Sequence, residues 1–417
     1  MLTKAPKGTK DTLPSEIHKW HYVESKFADI CKRYGFDEIR TPVFEHTELF
    51  QRGVGDTTDI VQKEMYTWMQ AHRSLTLRPE GTSPVVRALV ENKLYALRQP
   101  QKYYYDISCF RYEKPQAGRL REFHQFGVEV FGSENMLADA QIISLASDFL
   151  EEMRISDVKL HINSIGCPVC RENYKNVLKE FLAPKYDKLC DVCKDRYERN
   201  PIRILDCKNP EDQKSVEDAP RMIDYLCDDC NNAFEELKVN LDAMDIEYEV
   251  DPGIVRGLDY YTKTAFEFIA GGLGAQSTVC GGGRYDNLCE ALGGPEVPGV
   301  GFGMGIERLL LTMQESGFVF PEPNGPDAFI VFVGEDAKAI SLRLMRKLRK
   351  DGLKVEMDDL CRNVKGQFKY ADRLNAKNTV VIGEDEIKSG NVIIKNMSSG
   401  EQTPVTFDKI ADCIKEK

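Results

Sequence analysis

The sequence predicts an α+β domain built on an antiparallel sheet, broken by a helical insertion and followed by a small α/β domain. Three observations carry this. Two β-rich runs, Tyr103–Arg111 and Glu122–Phe131, flank the charged loop Glu113-Lys114-Pro115-Gln116-Ala117-Gly118, as in a long antiparallel hairpin. Between about Gly166 and Glu249, three Cys-x-x-Cys pairs appear among helical stretches punctuated by Pro, Asn and Asp. Beyond Phe318–Pro326, which holds three prolines and a glycine, strand and helix patterns alternate.

The elements follow in chain order. Ile17, Trp20, Val23, Phe27, Ile30 and Tyr34 recur at close to the helical period, so Ser15–Tyr34 reads as an amphipathic helix stopped by Gly35. Phe36–Phe44 reads as extended, and Pro42 places it at an edge or an interface. The hairpin comes next, then a helix over Ala138–Met153. After the insertion, strands return at Tyr248–Val250 and Thr264–Ile269, followed by a glycine-rich stretch from Gly271 to Gly305. The last domain reads as strand Ala328–Val333, helix Lys338–Lys350, strand Lys354–Asp358, a helix near Gln367–Asn375 and strand Thr379–Ile382. Such alternation implies a mostly parallel sheet. The expected division is residues 1–325, with the insertion at about 166–249, and residues 327–417.

Composition narrows the function classes. At 417 residues the chain is too long for one core, and 42% hydrophobic with 29% charged residues excludes general disorder. No run approaches the ~18 apolar residues of a membrane-spanning helix. The polar start Met1–Gly8 predicts no signal peptide, and thirteen cysteines without an export signal fit reduced thiols in a cytoplasmic protein. A net charge of −11 argues against non-specific nucleic-acid binding, including DNA, but leaves room for local basic patches on RNA. The acidity sits before Asp327, and the segment beyond it is nearly neutral.

Several segments carry chemistry. Gly281-Gly282-Gly283 and the alternate glycines Gly299, Gly301, Gly303 and Gly305 match neither the dinucleotide fingerprint nor the P-loop. Alternate glycines leave one strand face bare, so a flat ring or another backbone can approach; tight strand packing is the plainer alternative. Arg308 would lie at the end of that face, placed to meet a purine or a phosphate. In the hairpin, Arg111 and Glu113 end one strand, while Arg119, Arg121, Gln125 and Glu129 differ by even numbers and would share one face. Guanidinium groups suit phosphate oxygens. In Arg78-Pro-Glu80-Gly-Thr82, Glu80 could accept from an ammonium group or serve the start of the helix beginning near Ser83. Arg256-Gly-Leu-Asp259-Tyr260-Tyr261 would alternate its tyrosines between pocket and packing. His46, His124 and His161 read as structural, with His124 the strongest candidate for more.

Together these segments resemble the class II aminoacyl-tRNA synthetases, and specifically the histidyl-tRNA synthetase family, over essentially the whole length. Helix Ser15–Tyr34 with Pro42 looks like motif 1 of the class, Phe110–Phe131 like motif 2, and Gly301–Arg308 like motif 3. Leu77–Thr82, Arg256–Tyr261 and Gly282–Asp286 are similar to segments of the histidine enzymes. The resemblance implies ligation of histidine to tRNA through histidyl-adenylate, with ATP bent over an antiparallel sheet and Mg2+ accompanying it. It implies Arg111 on the α-phosphate, Arg119 on the phosphates, Glu113 on the adenine side and Arg308 by the adenine and γ-phosphate. Arg256 would be the catalytic cation beside Arg111. Glu80, Thr82 and Gln125 would receive the amino and carboxylate ends of histidine, and Glu129 and Tyr261 its imidazole, with Tyr285 nearby. Lys114–Gly118 would reach the acceptor end of tRNA, as would the insertion, and the last domain the anticodon. Motif 1 implies a homodimer.

Cys167-x2-Cys170 and Cys190-x2-Cys193 are spaced like zinc ligands, with Cys207, Cys227 and Cys230 as further candidates. The resemblance counts against structural zinc and favours reduced cysteines in a helical insert. Two rival readings are a regulatory paralogue of the synthetase fold and a synthetase for another amino acid. Arg256 with a full last domain disfavours the first, and Glu129 with Tyr260–Tyr261 the second.

Overall fold

The computed structural model describes residues 3–155, 157–205, 207, 209–254, 257–271 and 278–415. They divide into two units, Met1–Phe320 and Pro321–Lys417. The larger carries β1 (Asp37–Glu38), β2 (Phe44–His46), β3 (Thr67–Gln70), β4 (Arg73–Leu77), β5 (Gln101–Phe110) and β6 (Glu122–Phe131). It continues with β7 (Val158–Ser164), β8 (Glu249–Val250), β9 (Thr262–Ala270), β10 (Thr278–Arg284) and β11 (Gly299–Gly305). Eight of these form one sheet in the order β1-β5-β6-β11-β10-β9-β7-β8. Every pairing inside it is antiparallel, and only the edge pairs β1–β5 and β7–β8 are parallel.

The hairpin β5–β6 is in unbroken register from Gln101 opposite Phe131 to Phe110 opposite Glu122. Period-two alternation sends Tyr104, Phe126, Val128 and Val130 to one face of the sheet, into the main core. Tyr105, Ile107, Cys109 and Phe131 go to the other face, with Tyr260, Tyr261 and Tyr285. Helix Ile17–Arg33 closes the first face with Val23, Phe27 and Ile30, and the Phe27 ring stacks on Phe126 at 4.3 Å. The chain leaves this helix through Gly35 at φ +76°, the left-handed geometry that glycine adopts at no steric cost. Helix Met136–Glu152 packs alongside, its start capped by Asn135, whose side-chain oxygen accepts from the Leu137 amide.

Between β7 and β8 the described elements are all helical, including Pro168–Leu182, Asp191–Arg199, Pro210–Val216 and Asp228–Asp242. The smaller unit holds β12 (Ala328–Phe332), β13 (Val355–Met357), β14 (Asn378–Ile382), β15 (Asn391–Asn396) and β16 (Gln402–Thr406), in the order β13-β12-β14-β15-β16. β12 runs parallel to both neighbours, but β14–β15 and β15–β16 are antiparallel. The expectation of a mostly parallel sheet is corrected here. A terminal hairpin with one buried side, Val392 and Ile394 against the core, completes the sheet without a crossover helix.

Arg284, at the end of β10, has no exposure and lies against the equally buried Asp139 of helix Met136–Glu152. Its Nη1 also donates to the Ser133 carbonyl at 2.7 Å and to Asp286 at 3.1 Å. This pair ties the glycine-rich strand to the helical layer. Arg284→Ala leaves Asp139 buried with its charge unmatched, and is expected to cost about 3–5 kcal/mol. The check is a lower urea midpoint at unchanged m-value.

Candidate active site

Arg111, Glu113, Arg119, Arg308, Glu80, Thr82, Gln125 and Tyr261 line a single cleft on the sheet face opposite the main helices. They come from the β5–β6 hairpin, the turn before helix Thr82–Glu91, the segment before β9 and the helix after β11. Glu129 and Tyr285 do not line the cleft; both are buried beneath it. Arg256 lies outside the described residues, and its neighbours Gly257 and Leu258 line the cleft.

One end of the cleft gathers three arginines. Arg111 directs Nε to the Pro79 carbonyl at 2.8 Å, and its guanidinium lies 5.2 Å from the centre of the Phe123 ring. Both contacts leave the two terminal nitrogens for a ligand. Arg119 Nε is 3.2 Å from Glu113 Oε2, so the hairpin loop carries its own ion pair. Arg308, in the first turn of helix Ile306–Glu315, donates from Nη1 to the Thr278 carbonyl at 2.5 Å. Burial, and then the neighbouring Arg119 cation, lower its pKa, so an anion between these two guanidinium groups would relieve both. Arg121 does not join them. β6 begins at Glu122, so strand parity does not extend back to it; its guanidinium stacks over the Tyr112 ring at 3.9 Å.

The other end is a buried polar network. Glu80 accepts from the Thr82 and Ser83 amides at 2.7 and 2.9 Å, the service a carboxylate gives a helix start. Desolvation raises its pKa against those bonds and the charge of Arg111. Glu129 accepts from Thr82 Oγ1 at 2.8 Å, Tyr105 Oη at 3.0 Å and, by a short contact, Tyr285 Oη. Burial pushes its carboxyl up to about 8 despite these three donors, and the nearby Glu80 adds to the rise.

The glycines of β11 make this network possible. A Cβ on Gly301 would lie 1.9 Å from Glu129 Oε2, and one on Gly303 would lie 2.0 Å from Gln125 Nε2. The bare strand face therefore receives neighbouring polar side chains at both Gly301 and Gly303, and Gly303 and Gly305 also line the cleft.

Two groups that sequence reasoning left aside also shape the site. Asp259, just before the paired tyrosines, accepts from Thr57 Oγ1 at 2.8 Å and Arg203 Nη2 at 2.7 Å. Its backbone carbonyl accepts from Arg171 Nη1 at 3.1 Å. Both arginines belong to the insertion, and no local pattern links them to Asp259. Glu307 accepts from the His124 amide at 3.0 Å and lies 2.9 Å from its Nδ1. Burial lowers the His124 pKa, but the hydrogen bond and charge of Glu307 prevail and raise it. The His124 and Trp20 ring centres are 4.8 Å apart in an edge-to-face pair.

Comparison with known proteins agrees with this geometry. The sequence model of the histidyl-tRNA synthetase family matches residues 8–309, and that of an anticodon binding domain matches residues 327–417. The chain is 60% identical over 416 residues to the histidine–tRNA ligase of Caldanaerobacter subterraneus, covering 100% of each chain. The crystal structure of apo S. aureus histidyl-tRNA synthetase superposes with a TM-score of 0.85 at 38% identity, covering 99% of both chains. An ATP phosphoribosyltransferase regulatory subunit/histidyl-tRNA synthetase from Bacillus halodurans shares the fold at a TM-score of 0.63 and 20% identity, covering 92% of this chain and 99% of that one. The chain belongs to the histidyl-tRNA synthetase family of class II aminoacyl-tRNA synthetases.

Proposed function

We propose that the cleft of the larger unit is where this histidine–tRNA ligase forms histidyl-adenylate and hands the histidyl group to tRNA. The observation carrying the proposal is the convergence of Arg111, Arg119 and Arg308 at one end of a cleft whose other end holds Glu80, Thr82, Gln125 and Tyr261. In the first step a carboxylate oxygen of histidine attacks the α-phosphorus, and the bond to pyrophosphate breaks. In the second, the terminal ribose hydroxyl of tRNA attacks the histidyl carbonyl carbon and AMP leaves. Neither step needs a covalent protein nucleophile. The work is positioning and neutralising charge on phosphate oxygens.

Arg111 and Arg256 are assigned to the α-phosphate, Arg119 to the outer phosphates, Glu113 to the adenine side and Arg308 to the adenine and γ-phosphate. Mg2+ accompanies ATP in this reading, and the Glu267 carboxylate, which lines the cleft, suits a hard cation. Glu80, Thr82 and Gln125 are assigned to the amino and carboxylate groups of histidine. Tyr261 and Glu129 are assigned to the imidazole, with Tyr285 behind them and Thr82 between Glu129 and the cleft. A pocket that hydrogen-bonds both ring nitrogens rejects other side chains by leaving buried groups unpaired.

We assign tRNA contacts to Lys114–Gly118 and the insertion at the acceptor end, and to the smaller unit at the anticodon. A homodimer is supported by the exposed apolar group Phe44, Trp68 and Met69 on the small sheet β2-β4-β3, with Val43 just before it, which a second copy would cover. No described helix is long and apolar enough to cross a membrane. Reduced thiols agree with work in the cytoplasm.

Two outcomes test the assignments. Arg256→Ala is expected to slow adenylation by about 100- to 1,000-fold, as loss of a transition-state donor does. Histidine affinity, measured by equilibrium titration, should stay nearly unchanged; equal loss of both removes the catalytic assignment. The second outcome concerns protons. If imidazole and Glu129 share one proton when bound, the free partners must together hold one for tightest binding. They hold two below about pH 6.5, where free imidazole is charged, and none above about 8, where Glu129 ionises. The histidine KM in pyrophosphate exchange should therefore be lowest between those limits and rise on either side. Glu129→Gln should raise it about tenfold or more and abolish the alkaline rise.

A further inference from the structure

The insertion gathers its cysteines into two groups that linear spacing pairs wrongly. Cys167 and Cys170 meet Cys227 and Cys230, while Cys190 and Cys193 meet Cys207 and Asp212. In each group all four ligand atoms lie within 4.8 Å of one another. We infer that the insertion binds two structural zinc ions, one in a four-cysteine site and one in a three-cysteine, one-aspartate site.

The local structure explains why these positions converge. Cys167, Cys190 and Cys227 are the N-cap residues of helices Pro168–Leu182, Asp191–Arg199 and Asp228–Asp242. The second cysteine of each pair stands in the first turn, so both thiols face one point beside the free amides and positive end of the helix dipole. Zinc would take these thiols as thiolates, releasing their protons on binding. The Sγ atoms of Cys167 and Cys170 are 3.6 Å apart, against about 3.8 Å for the edge of a tetrahedron with Zn–S bonds of about 2.3 Å. The Cys227 amide donates to Cys170 Sγ at 3.1 Å, the outer-shell support that ligating sulfur receives.

The second group supplies an independent sign. Asp212 has no exposure, and among the described residues no basic side chain forms an ion pair with it. Its Oδ1 accepts from the Cys190 amide at 3.0 Å, and its Oδ2 lies 3.1 Å from Cys207 Sγ. A buried carboxylate gathered with three thiols completes a four-ligand set of the kind a divalent ion takes. Thiolate-rich tetrahedral sets select zinc or iron, and the closeness of the four atoms leaves room for one ion rather than a cluster.

The centres also bear on the amino-acid pocket, a consequence that rests on the function proposed above. Arg171 directly follows Cys170, and Arg203 lies between Cys193 and Cys207; these are the two insertion arginines that hold Asp259 beside Tyr260 and Tyr261. The zinc count does not depend on that reading. Metal removal is expected to raise the histidine KM with less effect on kcat.

Elemental analysis of the full-length protein, purified without chelator, is expected to give two zinc equivalents per chain. Cys170→Ser and Cys193→Ser should each remove one. Should either buried variant fail to fold, Cys167→Ser and Cys190→Ser, at half-buried positions, should do the same. In native protein the seven grouped thiols should resist alkylation until zinc is withdrawn, whereas the exposed Cys361 reacts at once. No stoichiometric zinc, with the grouped thiols alkylating as fast as Cys361, overturns the inference. Iron in place of zinc overturns the metal's identity, and a stoichiometry of one that survives Cys193→Ser overturns the three-cysteine centre.

Discussion

The constraint on which the catalytic unit depends is the burial of a carboxyl group in the middle of an eight-stranded sheet. Glu129 has no exposure and three hydroxyl donors, from Thr82, Tyr105 and Tyr285. Such a group is tolerated only if every neighbour is held in place. The surroundings do this. Gly301 leaves the volume its carboxylate occupies, and Tyr105 comes from the hairpin partner strand. Thr82 opens a helix whose first amides are already satisfied by Glu80. A stiff floor of this kind gives the cleft above it a fixed shape.

The opposite end of the cleft works by another rule. Its arginines are held by single bonds to backbone carbonyls or by one carboxylate, and Glu113 and Glu267 share the cleft with them, so an arriving anion joins a mixed set of charges. Charge gathered in advance costs stability in the empty protein and is returned on binding. The two ends thus differ in kind: one is a buried network of hydroxyls and carboxyls, the other a cluster of arginines.

Much of this was legible in the sequence, because the signals were local. Two β-rich runs around a charged, glycine-containing loop marked the β5–β6 hairpin, the helical period marked Ile17–Arg33, and the break in patterning at about Gly166 marked the insertion. Parity on β6 put Gln125 and Glu129 on one face, and failed at Arg121 because the strand starts one residue later. What could not be read were contacts between distant segments. Nothing near Asp259 points to Arg203, and nothing near Cys167 points to Cys227 rather than Cys190. Glu80 offered two readings, and only the folded turn shows its carboxylate engaged with the helix amides. The antiparallel edge of the smaller sheet escaped because β15 is only half-buried, with too few apolar positions to stand out.

The clasp on Asp259 has a bearing on how such a chain can change over time. Two guanidinium groups from the insertion grip the residue just ahead of the paired tyrosines, so the inserted segment is no free appendage. Grafting the corresponding piece from a distant homologue would carry its own spacing between those grips into the host. Recombination at this joint therefore has to move the insertion and the Asp259 segment as a unit, and drift in one is checked by the other.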